Sequence, residues 1–287
     1  MGFHPNRRKF TMRNNKTAEL VLTALFAAII IIMAFTPLGY IPLVVINATI
    51  IHIPVILGSL FCGPKKGGFL GFIFGLTSFI KNTVMPTSLS AFVFSPVLAV
   101  NMVGTSGIFK SAFICFVPRI LVGVVPYFVY ISVKKAVTSE QKNLWTTVFN
   151  IMMGLFLLIG VRAFLLKVFA EKAISAPVIL VISIVAGVLV FAVLEWTTLK
   201  KSGNVLAFIY AGVIGAMVNT ILVMGSIFVL YKNAYADALS IDPGTVLGTI
   251  GGVISFNGVI EAIVAAIIVA ALGAVLNKIK PIAAKKA

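Results

Sequence analysis

Acidic residues are scarce in this chain: seven Asp and Glu stand against 23 Lys and Arg over 287 positions, a net charge of +16. So few carboxylates leave little for an enzyme working on lipid at the membrane surface, a class that needs clustered acids or histidines; Asp237 and Asp242 in one loop are a thin candidate. Cysteine is limited to Cys62 and Cys115, both in apolar context, which rules out a disulfide framework and reads as packing. The only histidines are His4 and His52, so no metal-ligand spacing and no Ser/His/Asp set can be assembled. No metal and no cofactor is expected. There is no G-x-x-x-x-G-K-[ST] loop, no Gly-rich dinucleotide fingerprint and no H-E-x-x-H. The chain therefore cannot hydrolyse ATP by itself, and any ATP-driven process must draw on other chains.

What the chain has in abundance is apolar surface. Hydrophobic residues make up 60% and charged ones 10%, too little charge to cover a soluble domain. Eight apolar segments stand out, at 18–36, 50–63, 67–81, 108–133, 144–166, 174–197, 204–231 and 246–276. Most exceed the roughly 20 residues that cross a ~30 Å hydrocarbon layer. The second and third are short, yet Lys65 and Lys66 in their connecting turn "GPKKGG" require that turn to reach water. The basic residues fall between the apolar runs and form no single patch, which excludes nucleic acid as the partner and leaves membrane lipid. With the N-terminus inside, 16 of the 23 basic residues lie on the cytoplasmic side, as the positive-inside rule predicts. The expectation is an all-α integral membrane protein of about eight transmembrane helices with both termini cytoplasmic, in the plasma membrane. Basic tails at 1–17 and 278–287 flank core helices at 18–134 and 204–277. Between these core segments, 135–203 reads as an inserted hairpin that opens on the linker "AVTSEQKN". The outer segments 37–49 and 82–107 mix Pro, Ser, Thr and Asn with large apolar residues and are expected to be folded lids or structural caps rather than simple turns.

Strongly polar residues recur at one depth. Arg119 lies roughly eleven residues down the fourth segment, Asn219 midway along the seventh, and Asn257 and Glu261 midway along the eighth at i, i+4 spacing. Such groups are expensive in hydrocarbon and must face a protein interior or a wet cavity. One reading is an Arg119–Glu261 pair that only holds helices together; the other is a polar binding cavity favouring an anion. His52 starts the second segment near its outer face and reads first as an interior hydrogen-bonding residue. Small residues form stripes at Ala24 and Ala28, at Gly67, Gly71 and Gly75, and at Ala262, Ala266 and Ala270. Each suits close helix packing or a flat face for another membrane subunit.

The stretches "ELVLTALFAAIIIIMAFTPLGYIP", "HIPVILGSLFCGPKKGGFLGFIFGLTSF", "FVPRILVGVVPYFVY" and "VNTILVMG" together resemble the S component of an energy-coupling factor (ECF) vitamin transporter. The resemblance covers 18–134 and 204–277. It implies a six-helix membrane protein of a prokaryotic cell that binds a vitamin with high affinity from outside. Its implied partners are a T subunit and two ABC-type ATPases. On this resemblance Ala24 and Ala28 match a docking motif for the T subunit. The pocket would draw on the external loops and the last three core helices, hence on Arg119, Asn219, Asn257 and Glu261. The segment "TPLGYIP…NAT…HIPVI" is most similar to pantothenate-type members, which adds Asn47 and His52 to the candidate set. An S component for another vitamin or precursor, or an autonomous ion-coupled carrier, remains the alternative. Residues 135–203 depart from the family pattern, in which the fourth and fifth core helices connect directly.

Overall fold

The computed structural model describes residues 15–42, 47–169, 174–201, 204–279 and 282; the basic tails predicted at either end fall almost wholly outside them. The described residues are helical apart from one small hairpin and the connecting turns. Helix α1 (Asn15–Phe35) leads through a 3-10 turn into strands β1 (Tyr40–Pro42) and β2 (Asn47–Thr49), which pair antiparallel with Tyr40 opposite Thr49. Helices α2 (His52–Cys62) and α3 (Pro64–Val84) follow, then a 3-10 stretch (Leu89–Phe94) and α4 (Pro96–Val103). The long helices are α5 (Ser106–Val137), α6 (Lys142–Val168), α7 (Ala176–Lys201) and α8 (Asn204–Leu239). The last span begins as α9 (Val246–Val253), passes through a π turn (Ile254–Gly258) and continues as α10 (Val259–Ile279). The described parts of both segments read as lids are thus folded.

Among the described residues six helices are long and apolar enough to cross a membrane: α1, α5, α6, α7, α8 and the α9–α10 span. Helices α2 and α3 fall outside this set because α2 has only 11 residues and α3, though 21 residues long, is diluted by glycine and lysine. Gly63 (φ +89°) makes the turn between them, a left-handed conformation that glycine adopts at no steric cost, and Pro64 opens α3. Lys65 in this turn is exposed. Lys66 Nζ reaches Glu19 Oε2 at 2.8 Å, which places the turn and the start of α1 at one end of the molecule. We call this the turn end; the hairpin and α4 mark the lid end.

The glycine stripe faces inward. A Cβ on Gly67 would meet the Gly123 carbonyl, one on Gly71 the Arg119 carbonyl, and one on Gly75 the Cys115 carbonyl. These three steps of α3 therefore lie directly on successive turns of α5, backbone against backbone, as small residues allow in a membrane. The Ala24–Ala28 stripe is the opposite case: both residues are exposed on α1, on a face shared with Leu20, Val21, Leu25 and Ile32.

Among the described residues the buried apolar side chains form two clusters. The larger fills the turn-end half, with Ile30, Val55, Leu60, Leu70, Val122, Tyr130 and Phe208 among its members. The smaller sits under the lid and includes Phe92, Ile114, Val223, Tyr231 and Ile250. Tyr231 marks a kink in α8 (φ −133°, ψ 16°). Its hydroxyl lies 2.9 Å from Ser111 Oγ and donates to the Gly107 carbonyl at 3.0 Å, so the bend is held by hydrogen bonds to α5.

Helices α6 and α7 pack chiefly on each other, with Gly154 and Gly187 in mutual backbone contact. A polar clamp closes their turn-end half: Thr147 Oγ1 donates to Glu195 Oε1 at 2.5 Å, and Asn150 Nδ2 to Glu195 Oε2 at 2.7 Å. The pair joins the core at two levels. Tyr210 donates to the Phe149 carbonyl at 2.6 Å, and Phe164 stacks on Phe256 with ring centres 4.7 Å apart.

The helix crossing yields a direct test. Gly71→Ala drives a methyl into the α5 backbone and should cost about 1–3 kcal/mol. Gly225→Ala in α8 meets open space within 4 Å and should be neutral or stabilise by up to about 1 kcal/mol. Thermal melts of the purified variants in detergent check both; equal melting points would refute the packing.

Candidate functional site

Three helices leave one cluster and enter the other across the same short interval. On α5, Ile114 belongs to the lid cluster and Val122 to the main one, with Pro118 and Arg119 between. On α8, Ala216 and Val223 bracket Asn219 and Thr220. On the last span, Ile250 and Ala262 bracket Asn257 and Glu261. The polar residues picked out in sequence therefore form a layer between two apolar regions.

Arg119 is buried, at 5% exposure. Its guanidinium carbon lies 5.6 Å from the centre of the Phe74 ring and 5.1 Å from that of Phe94, so α3 and the lid each offer an aromatic face to the cation. Nη1 donates to the Ile114 carbonyl. Glu261, 6% exposed, does not close onto Arg119. Its Oε1 accepts from the Thr49 amide at 2.8 Å and its Oε2 from Thr220 Oγ1 at 3.1 Å. Among the described residues the one ion pair within 4 Å is Lys66–Glu19. Arg119 and Glu261 act on each other electrostatically across the layer. The carboxylate is thus committed to fastening the β-hairpin to α8 and α10.

That fastening explains the position of His52, and here the structure corrects the sequence reading. Thr49 is bonded to a residue 15 positions into the last span, so the hairpin dips to mid-depth and α2 starts there. Eleven residues at roughly 1.5 Å each make α2 about 16 Å long, half a hydrocarbon layer. His52 therefore lies at the depth of Arg119 rather than near the outer face, and it is fully buried. Among the described residues, neither of its ring nitrogens and not the Asn219 Oδ1 has a hydrogen-bond partner. Buried polar atoms in this condition are uncommon and call for a reason.

Asn257 is half-buried and sits within the π turn, which breaks the simple i, i+4 alignment with Glu261. Asn47 opens β2, but its side chain lies outside the described residues. Ala24 and Ala28 lie apart from the layer on the outer face of α1. Sequence reasoning passed over Thr220 and Phe74. Thr220 was visible as the residue after Asn219 in "VNTILVMG"; Phe74 carried no signal of its own. The assembled layer presents a cation between phenyl rings, a carboxylate, amides and an imidazole. Such a set can recognise a small molecule with an anionic group and several hydrogen-bonding groups.

Comparison with known proteins agrees with this architecture. Residues 18–197 match the family described as ECF transporter, substrate-specific component, and the chain belongs to that family, as a multi-pass membrane protein. The match runs through α6 and α7. The chain is 41% identical over 128 residues to a pantothenic acid transporter, PanT, of Lactococcus lactis subsp. cremoris, covering 42% of this chain and 61% of that one. It is 35% identical over 119 residues to a pantothenate transporter, PanT, of Leuconostoc mesenteroides subsp. mesenteroides, covering 40% and 51% respectively. The chain thus spans between half and about three-fifths of the length of the curated relatives it matches.

If Glu261 anchors the hairpin, Glu261→Leu leaves the Thr49 amide unpaired and should raise hydrogen exchange at 40–42 and 47–50. Glu261→Gln keeps an acceptor and most of the protection. Deuterium uptake followed by mass spectrometry separates the two, and matching uptake in Leu and Gln variants would contradict the anchor.

Proposed function

We propose that this chain is the high-affinity substrate-binding subunit of an ATP-driven ECF importer and that its substrate is pantothenate. The observation that carries the reading is the Arg119 guanidinium, buried at mid-span beside the Phe74 and Phe94 rings in a layer of polar residues. Pantothenate has one carboxylate, one amide and two hydroxyls. In this reading Arg119 meets the carboxylate, while Asn219, Asn257, Thr220 and His52 meet the hydroxyls and the amide. Asn47 belongs to the same set through the hairpin. The names of the two relatives support the choice of vitamin.

The membrane arrangement belongs to the same reading. Helices α2 and α3 complete a six-helix core with α1, α5, α8 and the α9–α10 span, and α6–α7 is an added pair, giving eight helices in all. Both termini are cytoplasmic, and the lid end faces outward. The exposed Ala24–Ala28 face of α1 docks on the T subunit, and two ABC-type ATPases supply the hydrolysis.

Arg119→Ala should weaken pantothenate binding by about 100-fold or more while the protein stays folded; titration calorimetry on purified protein measures it. Unchanged affinity would remove the carboxylate anchor. Separately, Ala24→Leu with Ala28→Leu should preserve binding and abolish co-purification with the T subunit and ATPases. Normal co-purification would defeat the docking assignment.

A further inference from the structure

We infer that Pro118 is a positioning residue that fixes where along α5 the Arg119 guanidinium sits, and so governs preference for a carboxylate-bearing ligand. The inference rests on the carboxylate reading of Arg119 given above and adds the device that sets the cation in place.

Helix α5 runs unbroken from Ser106 to Val137 with Pro118 and Pro126 inside it. In such a helix the amide of residue 118 would donate to the carbonyl of residue 114. Proline has no amide hydrogen, so that acceptor is left open in a low-dielectric interior. The donor that fills it is the neighbouring side chain: Arg119 Nη1 donates to the Ile114 carbonyl. The guanidinium is thereby drawn back along the helix toward the lid end. There it lies between Phe74, from α3, and Phe94, from the lid. Gly71 bears on the same turn, because its missing Cβ lets α3 rest on the Arg119 carbonyl. The order Pro-Arg therefore acts as a unit, in which proline creates an acceptor and arginine supplies a charged donor whose position the acceptor dictates. Pro126 serves as an internal control: it likewise deprives the carbonyl four residues back of its helical donor, but a tyrosine follows it rather than a cation.

Restoring the amide should release the guanidinium. In Pro118→Ala the backbone can satisfy Ile114 itself, so the helix gains a hydrogen bond while the cation loses its tether. The full chain is reconstituted in nanodiscs and titrated with pantothenate and with its alcohol analogue, in which the carboxylate is replaced by a hydroxymethyl group. The quantity read is the ratio of the two affinities. We expect Pro118→Ala to melt no lower than the parent and to lose at least tenfold of the carboxylate preference, mostly through weaker pantothenate binding. Pro118→Gly, which also restores the amide, should lose the preference in the same way and serves if the Ala variant does not fold. Pro126→Ala should keep the parental ratio. A folded Pro118 variant with the parental ratio overturns the inference while leaving the carboxylate reading standing, and an equal loss in Pro126→Ala overturns it as a general effect of helix straightening. Arg119→Ala with the parental ratio overturns the carboxylate reading itself, and the positioning role with it.

Discussion

A permanent positive charge held halfway across a membrane protein is the constraint around which this fold is arranged. Arg119 cannot shed its proton, and its burial keeps it from bulk water. The chain meets the demand with several partial answers: a carbonyl that proline has left open, two phenyl faces, and a carboxylate kept at a distance. Glu261 bonds to Thr49 and Thr220 and acts on the cation across the layer, so one carboxylate serves both the hairpin and the charge.

The surrounding architecture serves the same layer. Glycines on α3 bring its backbone onto α5 at the turns carrying Cys115, Arg119 and Gly123. The β-hairpin descends to Glu261 and in doing so shortens α2. The lid is tied down by its own network, in which Ser95 accepts from Thr83 and Ser111, and Tyr231 bridges to α5. Helices α6 and α7 stand outside this construction and carry their own polar clamp. The pair is joined to the core at two heights, so it is an attached body and not a loose appendage.

Much of this was legible in the sequence, and the reasons are particular. Arg119, Asn219, Asn257 and Glu261 stood out because hydrocarbon makes polar residues costly, and a costly residue at a shared depth implies a shared environment. The helical class and the membrane setting followed from composition alone. Depth counted from helix ends failed at His52, because counting assumes that a segment starts at the membrane face, and β2 had already carried the chain halfway in. Apolarity alone marks six of the expected spans, because α2 has only 11 residues and the glycines that let α3 pack so closely also lower its hydropathy. The π turn at Asn257 has no periodic signature. The glycine and alanine stripes looked alike as strings, and only packing separates the buried stripe on α3 from the exposed one on α1.

The larger apolar cluster has a consequence for permeation. It occupies the whole half of the molecule beyond the polar layer, with Ile30, Val55, Leu60, Leu70 and Tyr130 all but inaccessible. Apolar side chains therefore back Arg119 on its turn-end side, so a molecule held beside that cation would reach the turn end only if the helices that carry them moved apart.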